Sequence, residues 1–302
     1  MVPGLIRLVA LIGVLAISLS AIFVRLASVS PSTAAVFRGA YALPVLAGIW
    51  WFVRRRDHRR RFERLLAGGA GLFLALDLAM WHRSIGSIGA GLATVLANTQ
   101  VAFVGLLAWA LHREQPTRTA LATIPVVFAG VVLISGMGRG DAYGSSPLAG
   151  ALLGVGAGLA YSGYLLVFRA ANRGLSHPAG PLLDATIGMT LGSLFGGALD
   201  HGLVLVPHFP AHAWLIALAL VVQVGGWLLI ALALPRLPAL ETSVLLLVQP
   251  TCTMLWGFLI FDERLSITQL AGAAIVLAGV AVLSLRGSIV AKTSKAIAEL
   301  GR

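Results

Sequence analysis

The sequence is poor in charge, in acid and in sulfur. Only 11% of its 302 residues are Asp, Glu, Lys or Arg, where a soluble domain carries about a quarter. There is one cysteine, Cys252, set inside an apolar run, so a disulfide framework and a Cys-based metal site are both excluded. No HExxH, no pair of mid-segment aspartates and no Ser-His pair at depth is present, and His58, His201, His208 and His212 fall in connections. An intramembrane enzyme needs such a convergent set, so no catalytic residue and no cofactor are assigned. Rings of charge, the mark of a selective pore, are missing too. No hydrophilic stretch is long enough for a second, water-soluble domain.

What fills the chain is apolar: 58% hydrophobic residues, with a mean hydropathy of +0.93. A net charge of +11 suits nucleic acid only when gathered on one patch; here the basic residues sit between apolar runs, the pattern of membrane topology. The chain is therefore expected to have lipid and not nucleic acid as its surroundings. A membrane crossing takes about 20 apolar residues. Ten such stretches are legible, at roughly 8–27, 33–53, 65–84, 89–111, 119–137, 147–168, 179–199, 212–234, 239–261 and 266–286. Arg7 ahead of the first run resembles a signal peptide, but the run is long and nine more follow, so it is expected to stay as the first span.

Two stretches match each other. Thr94–Ser135 and Ser243–Ser284, 149 residues apart throughout, are identical at 13 of 42 positions without a gap. Gln100 falls on Gln249, Glu114 on Glu263, and Ala129-Gly130-Val131 on Ala278-Gly279-Val280. The copies cover spans 4–5 and 9–10, so the repeat unit is five helices, residues 1–140 and 141–288, with 289–302 as a tail. Five crossings force the second unit to enter from the opposite face, an inverted-topology repeat of the kind found in secondary transporters. Of the 22 Lys and Arg residues, 17 fall on the side of the N-terminus, seven of them Arg between 54 and 64, and 5 on the other. Both termini are expected to be cytoplasmic. Trp50, Trp51 and Phe52, just before the Arg cluster, read as an interfacial belt.

Polar groups inside hydrocarbon mark function more often than not. Asp77, past the middle of span 3, reads either as a cavity-lining, proton-coupling carboxylate or as a structural acid bonded to neighbouring helices. Trp81 lies one turn on; His82 is expected at the outer interface. Thr94 and Asn98 lie one turn apart in span 4, and Gln100 there and Gln249, beside Pro250, in span 9 offer amides at mid-depth, toward a substrate or toward each other. In span 8 Gln223 and Trp227 share a face beside Gly225-Gly226, and in span 6 Tyr161 and Tyr164 lie three apart. Amides and aromatics in an apolar pocket suit a small amphipathic molecule. Glu114 and Glu263 read as structural turn residues. Arg38 is expected to snorkel outward from the end of span 2, or to guard an outer mouth and meet a substrate carboxylate. Trp109, Trp214 and Trp256 are expected at lipid or interface. Gly150, Gly154, Gly158 and Ser162, and Gly188, Gly192 and Gly196, form small-residue faces expected to pack within a monomer.

The segments VFRGAYALPVL, LDLAMWHRSI, GLATVLANTQVAFVGLLAWAL and VLLLVQPTCTMLWGFLIFDE with AGAAIVLAGV resemble the EamA-type members of the drug/metabolite transporter superfamily, and among them bacterial amino-acid exporters. The likeness runs from about residue 8 to 286. It implies an all-α membrane protein of ten helices in two inverted five-helix repeats around a central cavity, with spans 5 and 10 peripheral. It further implies export of amino acids or related metabolites, drugs being the alternative, across a bacterial inner membrane by alternating access. On that map Asp77, Trp81, Asn98, Gln100, Tyr164, Gln223, Trp227 and Gln249 fall on cavity-forming helices.

Overall fold

In the computed structural model, residues 3–112, 118–137, 140–171, 177–233, 236–237 and 239–300 are described. They contain no strand. Eight helical runs are long and apolar enough to cross a membrane, and two shorter apolar helices, Leu121–Ile134 and Leu247–Phe261, complete a set of ten.

Span 1 is α1 (Pro3–Ser18) and α2 (Ser20–Ala27), broken at Leu19; span 2 is α3 (Pro31–Val53). Ser30 caps α3 by accepting from the Thr33 amide at 3.1 Å, with Pro31 at the first helical position where its missing N–H costs nothing. Span 3, α4 (Arg61–Ile88), has 28 residues and begins with Glu63 accepting from the Arg60 amide at 2.7 Å. Span 4 is α5 (Ala90–Ala97) and α6 (Gln100–His112). The break falls at Asn98-Thr99, where side chains compete for the backbone: Asn98 Nδ2 donates to the Thr94 carbonyl at 2.8 Å and Thr99 Oγ1 to the Leu96 carbonyl at 2.6 Å.

Span 5 is α7 (Arg118–Ile134), span 6 α8 (Pro147–Ala171) and span 7 α9 (Ala179–Leu199). Span 8 runs from α10 (Ala211–Ala217) through a π-helical segment, Leu218–Gly226, into α11 (Trp227–Ala233). Span 9, α12 (Ala239–Phe261), passes Pro250 as one helix, without the break that proline invites. Span 10, α13 (Ile267–Leu300), continues through the tail.

Polar contacts tie alternate ends together and so fix a zigzag of ten crossings. At the arginine-rich end, Arg7 meets Glu241 at 2.8 Å, and Arg59 meets Asp184 at 2.8 Å. At the opposite end, Asp200 accepts from Ser32 at 2.6 Å and Arg83 at 2.7 Å, while Gln269 joins the Tyr143 and Ile134 backbones. Packing also falls in exchange-related pairs. Span 3 lies on span 6 as span 8 lies on span 1, span 2 on span 8 as span 7 on span 3, and span 4 on span 6 as span 9 on span 1. Spans 5 and 10, 4 and 9, and 2 and 7 pack on their own counterparts.

The small-residue faces account for the closest of these approaches. A Cβ at Gly154 would press on Leu96 and Ser84, and one at Gly158 on Thr99 Oγ1 and the Ala97 carbonyl, so span 6 seats directly on the break in span 4. Gly188 lies against the Gly68 backbone and Gly192 against Ala75, whereas Gly196 faces open space. Among the described residues these faces pack inside one chain.

Candidate functional site

A cavity of about 170 Å³ lies in the middle of the bundle and extends toward the arginine-rich end, where Ile230, Leu247 and Ser284 form its walls. An engineered apolar cavity of about 150 Å³ holds benzene, so this one has room for a small organic molecule. Six of the eight expected site residues line it: Asp77, Trp81, Asn98, Gln100, Trp227 and Gln249. Three of them present buried polar atoms with no hydrogen-bond partner among the described residues: Trp81 Nε1, Gln100 Oε1 and Trp227 Nε1. Buried polar atoms are nearly always partnered, so two open donors and an open acceptor among the residues of one cavity set it apart.

Gln223 and Tyr164 do not line the cavity. Gln223 is wholly buried behind it, accepting from Arg38 Nε at 2.8 Å and donating to Thr186 Oγ1 at 3.1 Å. Gln223 lies within the π-helical segment, and Trp227, one turn on, is the residue of this pair that reaches the cavity. Tyr164, 2% exposed, supports Tyr161 from behind, with ring centroids 5.4 Å apart, and Tyr161 is the ring that meets the cavity beside Trp227.

Arg38 corrects a second expectation. It neither snorkels nor guards an outer mouth: it is buried, 4% exposed, and lines the cavity. Gln223 and Ser20, which accepts from Nη1 at 3.1 Å, hold its guanidinium. Because Pro31 starts span 2, Arg38 sits seven residues inside the helix, about 10 Å at 1.5 Å per residue. Asp77 lies on the same cavity, feels the charge of Arg38, and takes no hydrogen bond or contact ion pair from the described residues. A buried guanidinium and a buried carboxyl group thus face one space without closing on each other. Buried charges are ordinarily paired, which makes this separation the most informative feature of the site.

The end away from the arginines is tied together by one buried carboxylate. Glu263, 3% exposed, accepts from the amides of Ala90 at 2.7 Å and Gly91 at 3.2 Å and forms an ion pair with Arg25. A carboxylate at the first turn of α5 satisfies orphan N–H groups and meets the positive end of the helix dipole. Gly89, at φ +86°, lets the chain turn between α4 and α5 with no side chain to collide with that carboxylate. Arg25 also lies 4.0 Å over the Phe261 ring. Glu263 thus lies deep among these contacts and not on the surface turn that its place in the sequence suggests. Glu114 lies outside the described residues.

Other expectations change in detail. His82 is buried, its Nδ1–H donating to the Pro31 carbonyl at 3.1 Å. Trp256 faces inward, donating to Ser18 Oγ at 3.1 Å, and Trp214 stacks on Phe23; Trp109 is exposed, as expected. Trp51 and Phe52 are exposed beside the Arg cluster, while Trp50 donates to Asp57 at 3.0 Å. Span 10 is not peripheral along its whole length, since Val280 and Ser284 reach the cavity. Among the described residues no group of His, Cys, Asp and Glu is gathered for a metal.

The EamA-like transporter family matches the chain twice, over residues 5–136 and 148–285. An uncharacterized transporter of Bacillus subtilis (strain 168), YwfM, is 24% identical over 244 residues, 80% of this chain and 79% of that protein. An uncharacterized transporter of Archaeoglobus fulgidus is 25% identical over 231 residues, 75% of this chain and 78% of the other. A crystal structure with 16% identity superposes with a TM-score of 0.62 over 93% of this chain and 97% of its own, a likeness of fold.

Proposed function

The chain belongs to the EamA-like transporter family, and from that membership we propose that it is a secondary transporter exporting amino acids or closely related zwitterionic metabolites. One observation carries the substrate reading: Arg38 and Asp77 share a cavity and are not paired with each other. Arg38 suits a carboxylate through charge-assisted hydrogen bonds, and Asp77 suits an ammonium. Trp81, Tyr161 and Trp227 supply an apolar wall for a side chain, and the open donors and acceptor of Trp81, Trp227 and Gln100 supply orientation. An organic cation would also suit the aromatics around Asp77, but Arg38 in the same wall disfavours it.

Alternating access follows from a two-fold arrangement. The halves 1–140 and 141–288 act as inverted repeats that rock about the mid-membrane site. The exchange-related packing of spans and the two family matches support this reading. Here the Glu263–Arg25 contact ties one end together, and the cavity runs toward the other. The excess of arginine at that other end supports a cytoplasmic location for it and for both termini, the membrane being a bacterial inner membrane in this reading. Substrate enters from the cytoplasm, Glu263 releases Arg25 and the first turn of α5, and the cavity opens outward. Asp77, the acid embedded in the cavity wall, couples this cycle to protons. One chain contains the whole cavity, so a monomer suffices, with no cofactor and no catalytic step.

Saturable counterflow of a radiolabelled amino acid in proteoliposomes tests the proposal. Trans-acceleration by unlabelled substrate is expected. Flux that never saturates identifies a channel, and the absence of flux across amino acids and drugs alike removes the reading.

A further inference from the structure

A second groove lies away from the transport cavity, on the outside of the bundle. It has a volume of about 540 Å³ and runs between spans 3 and 7, lined by Leu65, Leu72, Ile187 and Leu191 with Arg61 and Arg64 at its arginine-rich end. Its floor is thin because glycines form it: Gly188 lies against the Gly68 backbone, and a Cβ at Gly69 would meet nothing within 4 Å. The flanking apolar side chains are exposed, Leu65 at 75% and Leu191 at 59%. From Arg61 to Leu72 is eleven residues of helix, about 16 Å at 1.5 Å per residue. That is half of a hydrocarbon core of about 30 Å, the depth of one leaflet.

The charges at the mouth are only partly cancelled, since Arg59, Arg61 and Arg64 face two acids, Asp57 and Asp184, and Asp57 is taken up by Arg59 at 2.9 Å. Asp184 is already held by Arg59 at 2.8 Å, and Arg64 reaches it only at 3.4 Å. Arg59 is 2% exposed, and its Nη1 is buried without a partner beside this acid. Arg61 is exposed and makes no ion pair among the described residues. A leaflet-deep apolar groove with surplus guanidinium at the headgroup level matches one ligand shape: an acyl chain carrying a phosphate.

We propose that this groove binds an anionic phospholipid, its phosphate on Arg61 and Arg64 and one acyl chain along Gly68, Gly69 and Leu72. Anionic lipid belongs to the cytoplasmic leaflet, and basic pockets between helices on that side recognise it. The site is separate from the transport cavity, and it stands whatever the transported substrate is. It also grips the seam of spans 3 and 7, where one half of the chain packs on the other.

The test is a thermal-shift titration of the purified full-length protein in neutral detergent, with phosphatidylglycerol or phosphatidylcholine of the same acyl chains. Phosphatidylglycerol is expected to raise Tm more, in a saturable way. Arg61→Gln is expected to weaken its apparent affinity about fivefold, the effect of one basic residue at a membrane surface. Gly69→Leu keeps every charge and fills the groove, and it is expected to abolish the lipid-specific shift. Arg55→Gln, in the same cluster but off the groove, is expected to change nothing. The proposal fails if the two lipids stabilise equally, if Gly69→Leu responds like the unmodified chain, or if Arg55→Gln weakens binding as much as Arg61→Gln. It also fails if glycerol phosphate alone gives the full shift.

Discussion

Arg38 Nε donates to Gln223 Oε1 at 2.8 Å in a contact that is wholly buried, between spans 2 and 8 and across 185 residues of sequence. The bond turns a side chain that would otherwise seek the interface into a fixed cation on the cavity wall. Gln223 is in turn oriented by Thr186 of span 7, so three helices from both halves hold one guanidinium.

Gln223→Met is therefore expected to damage transport without touching substrate. Hydrogen bonds to charged groups contribute about 1.5–3 kcal/mol, so kcat/KM should fall at least tenfold. The loss should be largest for substrates that carry a carboxylate. A uniform decline for every substrate would mean that Gln223 only supports packing.

Trp227→Phe removes one unpartnered N–H and keeps the ring beside Tyr161. An expected KM increase of about fivefold corresponds to one neutral hydrogen bond of about 1 kcal/mol. Initial rates of amino-acid uptake into proteoliposomes measure it. An unchanged KM would mean that water, and not substrate, takes that donor.

Asp77→Asn is expected to abolish the pH dependence of transport and, because the amide no longer offers a charge to the ammonium, to raise the KM of substrate exchange. Uptake compared with and without an imposed pH gradient measures this. Transport that remains gradient-driven in the variant would take the coupling role away from Asp77.

Glu263→Ala removes the ion pair with Arg25 and the acceptor for two amides of α5. Removing one partner of a buried pair costs about 3–5 kcal/mol, and loss of stability in this range is expected by thermal unfolding in detergent. Gly89→Ala should destabilise as well, since Gly89 holds a positive φ next to that carboxylate.

Acid should loosen the arginine-rich end first. The Arg59 guanidinium, helped by the Trp50 indole, holds the Asp57 carboxyl well below the usual carboxylate range. A depressed carboxylate contributes stability that is full above its unfolded value, near 3.9, and is lost as pH falls below that toward the folded value. Asp57→Asn is thus expected to lower Tm at pH 7 and to flatten the decline of Tm below about pH 4. A parallel decline in both proteins would contradict this.

The legible part of the site follows from one rule, that a polar side chain in hydrocarbon must face something. Asp77, Trp81, Asn98, Gln100, Trp227 and Gln249 were readable on that ground, and all six line the cavity. What stayed hidden depends on rotation and depth, which small backbone events decide. Gln223, one turn from Trp227, is held behind the cavity by Arg38 and Thr186, partners that no spacing in the sequence reveals. Tyr161 and Tyr164, three apart, cannot be ranked without knowing which way span 6 rolls on its glycines. Arg38 was hidden by two residues: beginning the helix at Pro31, where Ser30 caps it, puts the guanidinium too deep to snorkel. That Ser-Pro start was the available signal. The break in span 4 at Asn98-Thr99 is set by side chains bonding to the backbone, and apolar periodicity does not register it.

The central claim is that one cavity reads both charges of a zwitterion, Arg38 the carboxylate and Asp77 the ammonium. Competition against labelled leucine in proteoliposomes tests it most directly, using leucine, its methyl ester and 4-methylpentanoate as competitors. Only the intact zwitterion is expected to compete well, and Arg38→Gln should erase its advantage over the ester. If the ester and the acid compete as well as leucine does, the cavity does not recognise a zwitterion.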